Sequence, residues 1–349
     1  MKEIMNIISE NGYESFVVGG YVRDYLLGIQ SYDIDISTNA PINKIIKMFN
    51  GKGKAYKDYY AYHIDEGEYS YDITTYRKEL EYNKNKPVKL QVARTLGEDL
   101  LRRDFTINTF AIDKEGRFVD ILGSKKDLDA RLIKVVGDTE KKLTEDKTRI
   151  LRAIRFFCTM DFDLDTNILN FLKKHPEYLK DIPRQYVKKE LDKIFDSNNF
   201  DKFFYILKDY DIGKYLDISF DKVHSAYDRY GIWAQVETTL PFSKEEKKRI
   251  DDIKALVKYG DIKFLQLYTY SSDVILNAAG ILGITNKVKD LLDITKLHSV
   301  IEINSSINIF YKYVDVKDVK RVYKLVEKRI MEGTLNNNEK DIEQFIKDL

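Results

Sequence analysis

The chain has 349 residues, enough for two or more domains with buried cores, and its 43% hydrophobic and 33% charged content is typical of a soluble globular protein. A formal net charge of +1 excludes an overall basic surface, so any RNA-binding face must come from local clusters of Lys and Arg. The single cysteine, Cys158, excludes an intrachain disulfide. Because no signal peptide or long apolar run is recognisable, we expect a cytoplasmic protein with no membrane span.

Up to about residue 140, strand and helix patterns alternate. In chain order they predict a strand at 16–20, a helix at 21–28, a strand at 32–38, a helix at 42–49 and a strand at 117–123. The tyrosine-rich stretch 54–77 predicts a hairpin that turns at 65–67. This part of the chain is therefore expected to be an α+β domain with a small, mixed β-sheet.

Beyond about residue 140 the strand patterns fade, and apolar residues recur at positions i, i+3 and i+4. This helical spacing occurs at residues 144–160, 167–175, 185–195, 201–210, 245–259, 319–331 and 340–349. The last two thirds of the chain is therefore expected to be all-helical.

Two aspartates stand at alternate positions in the strand YDIDIST. Asp33 and Asp35 project from one face, roughly 6–7 Å apart, while Ile34 and Ile36 project from the other. Two carboxylates this close repel each other unless a cation lies between them, and Mg²⁺ prefers oxygen ligands and substrate phosphates. The alternative is a solvated strand face.

The residues before this strand favour the metal-binding interpretation. Gly19 and Gly20 follow a strand and open a helix, where exposed amides can bind an anion. An anion-binding turn next to a metal-binding strand points to a nucleoside triphosphate with its metal ion. Asp72, on the strand face opposite Tyr71 and Ile73, is a candidate third ligand.

A second polar cluster interrupts the otherwise apolar segment LLRRDFTINTFAID, residues 100–113. Its members are Arg102, Arg103, Asp104, Thr106 and Asn108. Such groups are costly to bury without partners. Arginines suit phosphate, and Asp with Asn suits ribose hydroxyls, although an interdomain salt-bridge patch is also consistent with this segment.

A third cluster lies in TEDKTRILRAIRFF, residues 144–157. Asp146 and Arg149 are i, i+3 neighbours on one helix face, and Arg152 follows one turn later. A surface ion pair would explain the spacing, but a carboxylate acceptor beside a guanidinium donor can also hydrogen-bond the edge of a base.

In this order, the clusters resemble the motifs of the class II tRNA nucleotidyltransferases, the family of bacterial and eukaryotic CCA-adding enzymes and bacterial poly(A) polymerase. The matching stretches are GGYVRDYLLG…DID (19–35), RRDFTIN (102–108), FVDILGSKKDLDARLIKVVG (118–137), EDKTRILRAIRF (145–156) and, at the place of a fifth motif, IPRQYVKKELDKIF (182–195). The resemblance implies a nucleotidyltransferase-type catalytic head at 1–140, a helical neck with base recognition at 141–200, and a helical, tRNA-binding body and tail at 201–349.

The resemblance also implies a reaction: template-independent transfer of CMP and AMP from CTP and ATP to the 3′ end of tRNA, with release of pyrophosphate. Asp33 and Asp35 would be the catalytic residues and would hold Mg²⁺ ions, with Asp72 as a third ligand. The triphosphate and ribose contacts would be Gly19, Gly20, Arg23, Arg103, Asp104 and Asn108. Asp146 and Arg149, supported by Arg152, would read the Watson–Crick edge of C or A and reject UTP.

Three positions depart from the family pattern. The family usually has Glu where this chain has Asp72, which weakens that assignment as a ligand. In the loop YNKNKPVKL, Lys84 and Lys86 replace an acidic residue followed by arginine, which puts the switch from C to A addition in doubt, although the retained loop length argues against a CC-only enzyme. In the fifth motif, Gln185-Tyr186 replaces Glu-Arg.

Phosphate contacts to tRNA are expected from basic helix faces. The candidates are Lys188, Lys189, Lys193, Lys317, Lys320 and Arg321, some of which can equally be solvated surface residues. The alternatives to a CCA-adding enzyme are an A-adding, CC-adding or poly(A)-polymerising relative, a non-catalytic RNA-binding protein, and a small-molecule nucleotidyltransferase. The intact Asp33/Asp35 pair argues against the non-catalytic alternative, and the long helical region argues against the small-molecule enzyme.

Overall fold

The computed structural model describes residues 1–294 and 303–349, and the chain divides into two compact units, Met1–Leu216 and Asp217–Leu349. Within the described residues, no helix combines the length and apolar character needed to cross a bilayer.

The first unit is built around a mixed seven-stranded sheet whose order is β3-β4-β5-β2-β1-β8-β9. Its strands are β1 (Ser15–Val18), β2 (Asp33–Thr38), β3 (Lys54–Tyr56), β4 (Ala61–Glu66), β5 (Tyr69–Thr75), β8 (Ala111–Ile112) and β9 (Phe118–Val119). Strand β2 is parallel to β5 and antiparallel to β1. The expected α+β class with a mixed sheet is confirmed.

Alternation in β2 and β5 divides apolar from acidic side chains. Ile34 and Ile36 are buried, whereas Asp33 and Asp35 are exposed on the other face. Strand β5 repeats the pattern, with Tyr71 and Ile73 buried and Asp72 exposed. The sequence-based assignment of these faces is confirmed.

Three local expectations need correction. The hairpin at 54–77 turns at residues 67–68, and it includes the additional strand β3. Only Phe118–Val119 of the predicted strand at 117–123 is extended. Beyond residue 140, β11 (Asp163–Leu164) forms a short parallel pair with β10 (Leu132–Ile133).

The segment 82–90, expected to be a loop, is the central part of an antiparallel hairpin. Its strands are β6 (Arg77–Asn83) and β7 (Lys86–Val92). Its two turn residues, Lys84 and Asn85, both have positive φ, at 48° and 64°. This is the backbone of the tight two-residue turn that suits the right-handed twist of a hairpin, and Asn tolerates it well.

Helices surround the sheet and continue to the end of the first unit. They are α1 (Lys2–Glu10), α2 (Gly20–Leu26), α3 (Ile42–Met48), α4 (Leu96–Leu100), α5 (Lys125–Asp129), α6 (Thr139–Glu145), α7 (Thr148–Met160), α8 (Thr166–Lys174), α9 (Arg184–Phe195), α10 (Asp201–Asp209) and α11 (Gly213–Leu216). Short 3₁₀ turns occur at Lys57–Tyr59, Thr106–Asn108 and Pro176–Asp181. Helix α7 buries its apolar face, including Ile150, Leu151 and Ile154, so its arginines emerge at fixed positions.

The described part of the second unit is helical. It contains α12 (Arg229–Trp233), α13 (Lys244–Tyr259), α14 (Phe264–Thr269), α15 (Ser272–Leu282), α16 (Thr285–Ile294), α17 (Ile307–Tyr313), α18 (Val319–Met331) and α19 (Glu339–Lys347). One apolar cluster joins α13 and α15 through Ile253 and Ile275, and another joins α18 and α19 through Ile330 and Ile342. The expected helical character of this region is confirmed.

Candidate active site

Asp35, one of the paired aspartates of β2, lines a cavity of about 480 Å³ on the acidic face of the sheet. Asp35 lies directly opposite Asp72 on the neighbouring parallel strand, and both residues line this cavity. Partial loss of water raises the pKa of Asp35; Arg103 opposes this shift and the like charge of Asp72 adds to it. The aspartates therefore form an electrostatically unfavourable group that a cation would relieve.

No group of three His, Cys, Asp or Glu side chains in residues 1–294 and 303–349 is arranged to hold a metal ion by itself. Asp72 instead accepts a hydrogen-bond contact from His63, whose Nδ1 is 2.8 Å from its Oδ1, and this contact raises the pKa of His63. A metal ion at Asp33 and Asp35 would therefore need additional ligands from substrate or water.

Gly19 brings the chain close to this acidic group. Its φ is 79°, and a Cβ at this position would lie 2.8 Å from Oδ2 of Asp35 and 2.7 Å from Nη1 of Arg103. Both the backbone conformation and the space therefore require glycine. Gly20 then begins α2, as the sequence predicts.

Arg23, Asn108, Asp104 and Arg152 form a continuous chain of side-chain hydrogen bonds. Arg23 donates to Oδ1 of Asn108 at 2.6 Å, and Asn108 donates to Asp104 at 3.0 Å. Arg152 donates to Oδ2 of Asp104 through Nε at 2.8 Å and Nη2 at 2.5 Å. This series of hydrogen bonds joins α2 to α7 and connects residues from the three motifs identified in the sequence.

Asp104 is the charged centre of this chain. Burial alone would raise its pKa, but Arg152 and the hydrogen bond from Asn108 outweigh burial and hold its pKa well below the usual range. Arg23 and Asn108 are buried and already engaged with each other. In the structure, the side chains predicted to contact ribose and phosphate therefore bond to one another and join α2 to α7.

Asp146 and Arg149 meet at the start of α7. Oδ1 of Asp146 accepts from the backbone N–H of Thr148 at 3.0 Å and from its hydroxyl at 2.5 Å, while Oδ2 is 3.8 Å from Nε of Arg149. Burial raises the pKa of Asp146, and the hydrogen bonds from Thr148 counteract that shift. The predicted pair is real and is not a solvated surface ion pair, because Arg149 is 4% exposed.

The hairpin β6–β7 holds Arg149 from the other side. Arg149 donates to the Lys142 carbonyl at 2.7 Å and to the Tyr82 hydroxyl at 2.8 Å. The Tyr82 hydroxyl in turn donates to Glu79, and the Arg149 guanidinium lies 5.3 Å from the centre of the Tyr82 ring. The hairpin therefore packs against the candidate base-reading guanidinium.

Tyr186 of α9 connects the two groups of contacts. Its hydroxyl makes side-chain hydrogen bonds with Arg152 and Thr148, and burial raises its pKa. Thr148 in turn donates its hydroxyl proton to Asp146, so Tyr186 links Arg152 to the contacts of Asp146. Tyr186, which stands where the family pattern has arginine, therefore makes side-chain contacts of its own in this structure.

Arg102 and Arg103 also line the cavity next to Asp35. Arg102 donates to Asp99 at 2.9 Å and to Glu79 at 3.3 Å, whereas the Nη2 of Arg103 is 3.8 Å from Asp99. Asp99 is fully buried and also accepts from Ser37. Arg102 therefore braces the hairpin, and Arg103 lies nearer to Gly19.

The candidate RNA-binding lysines do not behave alike. Lys188 is buried, and its ammonium donates to Asp192 at 2.6 Å, which removes it from the expected phosphate-binding surface. Lys193 is half-exposed and bonded to Glu190. Lys189 is exposed on α9, and Lys317, Lys320 and Arg321 are exposed at the start of α18.

Sequence reasoning missed several site residues: Glu79, Tyr82, Asp99 and the connecting role of Tyr186. A signal for the first two was present, since alternating residues flank Lys84-Asn85, a pattern typical of a hairpin turn. The spacing of Asp99 from Arg102 and Arg103 was a local signal for an ion pair, but the contacts of Asp99 with Ser37 and of Tyr186 with Arg152 and Thr148 join residues distant in the sequence.

Comparison with protein families identifies the sheet-containing region. Residues 15–134 match the Poly A polymerase head domain. A CCA-adding enzyme of Limosilactobacillus reuteri (strain DSM 20016) is 36% identical over 199 residues, which cover 57% of this chain and 49% of that relative, so this match spans about half of the relative's length. A CCA-adding enzyme of Bacillus pumilus is 26% identical over 380 residues, covering 98% of this chain and 95% of the relative.

Solved structures share the fold over nearly the whole chain. The Bacillus stearothermophilus CCA-adding enzyme in complex with CTP matches with a TM-score of 0.76 and 21% identity, over 99% of this chain and 96% of that one. The Thermotoga maritima CCA-adding enzyme complexed with tRNA matches with a TM-score of 0.66 and 21% identity, over 99% of this chain and 93% of that one.

Proposed function

We propose that this chain, which belongs to the tRNA nucleotidyltransferase and poly(A) polymerase family, adds CCA to the 3′ ends of tRNA from CTP and ATP. The observation that carries the proposal is the connection of two sites within one unit. Asp35, which shares a strand face with Asp33, lies beside Gly19, and the series of hydrogen bonds from Arg23 through Asp104 leads to Asp146. A phosphoryl-transfer site is thereby coupled to a pair of groups suited to reading a base.

The aspartates fit a divalent metal ion, and we propose Mg²⁺. Two carboxylates on one strand face, without a complete cluster of protein ligands, match the preference of Mg²⁺ for one or two carboxylates with phosphates and water. When bound, the metal would lower the pKa of the attacking ribose hydroxyl and neutralise charge on the leaving pyrophosphate. Asp33 and Asp35 would hold the metal ion, and Asp72 would lie next to Asp35 on the neighbouring strand.

Asp146 and Arg149 would select the base. Cytosine and adenine each present an amino donor beside a ring-nitrogen acceptor, which a carboxylate and a guanidinium can pair with. Uracil presents the opposite pattern and would leave buried groups unpaired. We expect Asp146→Ala to relax base choice more than it slows transfer; full discrimination against UTP in this variant would contradict the base-reading role.

The division into a head at 1–140, a neck at 141–200 and a body and tail at 201–349 remains a prediction. Exposed Lys189, Lys317, Lys320 and Arg321 support contacts to the tRNA backbone, which would depend on salt concentration. Lys193 would have to exchange its contact with Glu190 to take part.

A second candidate is a relative with narrower output, an A-adding, CC-adding or poly(A)-polymerising enzyme. The hairpin β6–β7 supports this alternative. Tyr82 of the hairpin contacts Arg149, and at the hairpin tip Lys84 and Lys86 replace the acidic residue and the arginine that are usual in the family. A hairpin that alters the pose of Arg149 would alter which nucleotide is accepted.

The experiment is primer extension with Mg²⁺ on tRNA transcripts ending before CCA, after C and after CC. Each transcript receives CTP, ATP, both, or UTP. Three added nucleotides with both substrates would establish CCA addition; arrest at CC, a single A, or an A ladder would assign the narrower activities. Asp35→Asn should abolish extension, whereas Asp163→Asn, an exposed aspartate of β11, is the matched control. Absence of extension by the wild-type protein would refute the proposal.

A further inference from the structure

From Asp35 the cavity extends past Asp72 to Tyr56 and Tyr59; Arg103 also lines it, whereas Gly19, Gly20 and Arg23 are not among its lining residues. Gly19, Gly20 and Arg23 follow β1, and Asn108 precedes β8. In the sheet, β1 and β8 lie on one side of β2, while β5, β4 and β3 lie on the other. The cavity is lined by residues of this second side, including Tyr56, Tyr59 and His63.

The register of the sheet aligns the cavity residues in rows. Asp35, Asp72, His63 and Lys54 are successive partners across four strands. Neighbouring strands are about 4.8 Å apart, so this row extends roughly 14 Å from the catalytic aspartate. Tyr56 occupies the adjacent row, on the same face as Lys54. The distance suits one or two nucleotides rather than a single ion.

The far end of the cavity has the chemistry of a base-stacking site. Tyr56 is 42% exposed and Tyr59 is 45% exposed, although both line a cavity. The Lys54 ammonium lies 5.2 Å from the centre of the Tyr56 ring. Arg77, whose guanidinium donates to the Tyr59 carbonyl, lines the same cavity, and its buried Nε has no hydrogen-bond partner in the described part of the chain. Exposed aromatic faces beside cations are typical of single-stranded nucleic-acid sites.

Phosphoryl transfer places the attacking and leaving oxygens roughly in line, on opposite sides of the transferred phosphorus. If the triphosphate lies toward β1, the attacking hydroxyl must approach from the β5–β3 side of Asp35. We propose that Tyr56 and Tyr59 receive the terminal base of the RNA acceptor, with Lys54 and Arg77 facing its phosphate. This subsite rests on the proposed function and adds the residues that would position the second substrate.

Single-nucleotide addition from CTP tests the subsite, with KM measured separately for RNA and for CTP. Tyr56→Ala and Tyr59→Ala should raise the KM for RNA about five- to hundredfold, the effect of losing one base-aromatic stack, and leave the KM for CTP unchanged. Tyr56→Phe and Tyr59→Phe keep the ring and should retain the wild-type KM. Tyr69→Ala removes a 40% exposed tyrosine of β5 whose side chain lies on the opposite sheet face, and it is the matched control. An unchanged KM for RNA in both alanine variants would overturn the proposal.

A binding measurement separates failure of this subsite from failure of the proposed function. Wild-type protein is irradiated with a tRNA transcript that carries 4-thiouridine as its last nucleotide, and the cross-linked peptide is identified by mass spectrometry. We expect cross-links within residues 54–61, and cross-links confined to other peptides would overturn the subsite. The measurement needs no catalysis, whereas absence of extension by wild-type protein refutes the proposed function itself.

Discussion

Replacing Tyr186 with phenylalanine removes one oxygen from the junction between the two halves of the candidate site. That hydroxyl joins Arg152, which is anchored on Asp104, to Thr148, which donates to Asp146. Arg152 keeps both of its hydrogen bonds to Asp104 in the variant, so we expect the fold to persist. Thr148 loses a hydrogen-bond partner, and the orientation of its hydroxyl toward Asp146 is then less constrained.

The size of the effect follows from the groups involved. A hydrogen bond between neutral groups contributes about 1 kcal/mol net, and one to a charged group about 1.5–3 kcal/mol. Selectivity changes only by the part of this free energy that differs between the transition state with a correct base and that with an incorrect base. A difference of about 1.4 kcal/mol is tenfold in rate, so Tyr186→Phe should reduce the preference for CTP over UTP by about three- to tenfold.

The assay is single-nucleotide addition to a tRNA transcript lacking CCA, with kcat/KM determined for CTP and for UTP. Tyr178→Phe is the matched control, since Tyr178 is also partly buried in the same unit and stacks on His175 through its ring. Unchanged discrimination in Tyr186→Phe, at an unfolding midpoint equal to that of the wild type, would refute the positioning argument. An equal fall in kcat/KM for both nucleotides would likewise indicate a structural role only.

Three further predictions follow from buried groups. Tyr82→Phe removes the hydroxyl that Arg149 donates to, so we expect base discrimination to fall by about tenfold, measured as the CTP-to-UTP ratio of kcat/KM. The depressed pKa of Asp104 contributes stability that is present above about pH 4 and lost as pH falls toward its folded-state pKa. Urea unfolding of wild type and Asp104→Asn should therefore converge between about pH 5 and 2, and a pH-independent difference would contradict this. Burial raises the pKa of Cys158 to about 12, so native protein at pH 8 should resist thiol alkylation until it unfolds.

The acidic face of the sheet could be predicted because its signal is local. Alternation in a strand fixes which side chains share a face, and residues 33–36 of β2 and 71–73 of β5 follow it. The alignment of Asp35 with Asp72 required more than alternation. It depends on the parallel pairing of β2 with β5, which is a tertiary choice made across the hairpin β4–β5.

The environment of Asp146 and Arg149 could not be predicted, because it also depends on tertiary contacts. Arg149 and Tyr82 are 67 residues apart, and Arg152 and Asp104 are 48 apart. Helical spacing gives Asp146 and Arg149 a common face, but it does not distinguish a buried pocket from a solvated ion pair. Arg149 is buried because the hairpin packs against it. The hairpin was not predicted, because its polar sequence was expected to form a loop.

Asn85 explains how a polar hairpin tip is held in place. Its side-chain amide donates to the Asp181 carbonyl at 2.9 Å and accepts from the backbone N–H of Lys147 at 3.0 Å. Its positive φ suits the tight turn, which glycine would also satisfy, but only a side chain with both a donor and an acceptor can make the bridge. The turn therefore ties the hairpin to the backbone immediately after Asp146. Because Tyr82 of the same hairpin contacts Arg149, the positions of both Asp146 and Arg149 depend on the position of this hairpin.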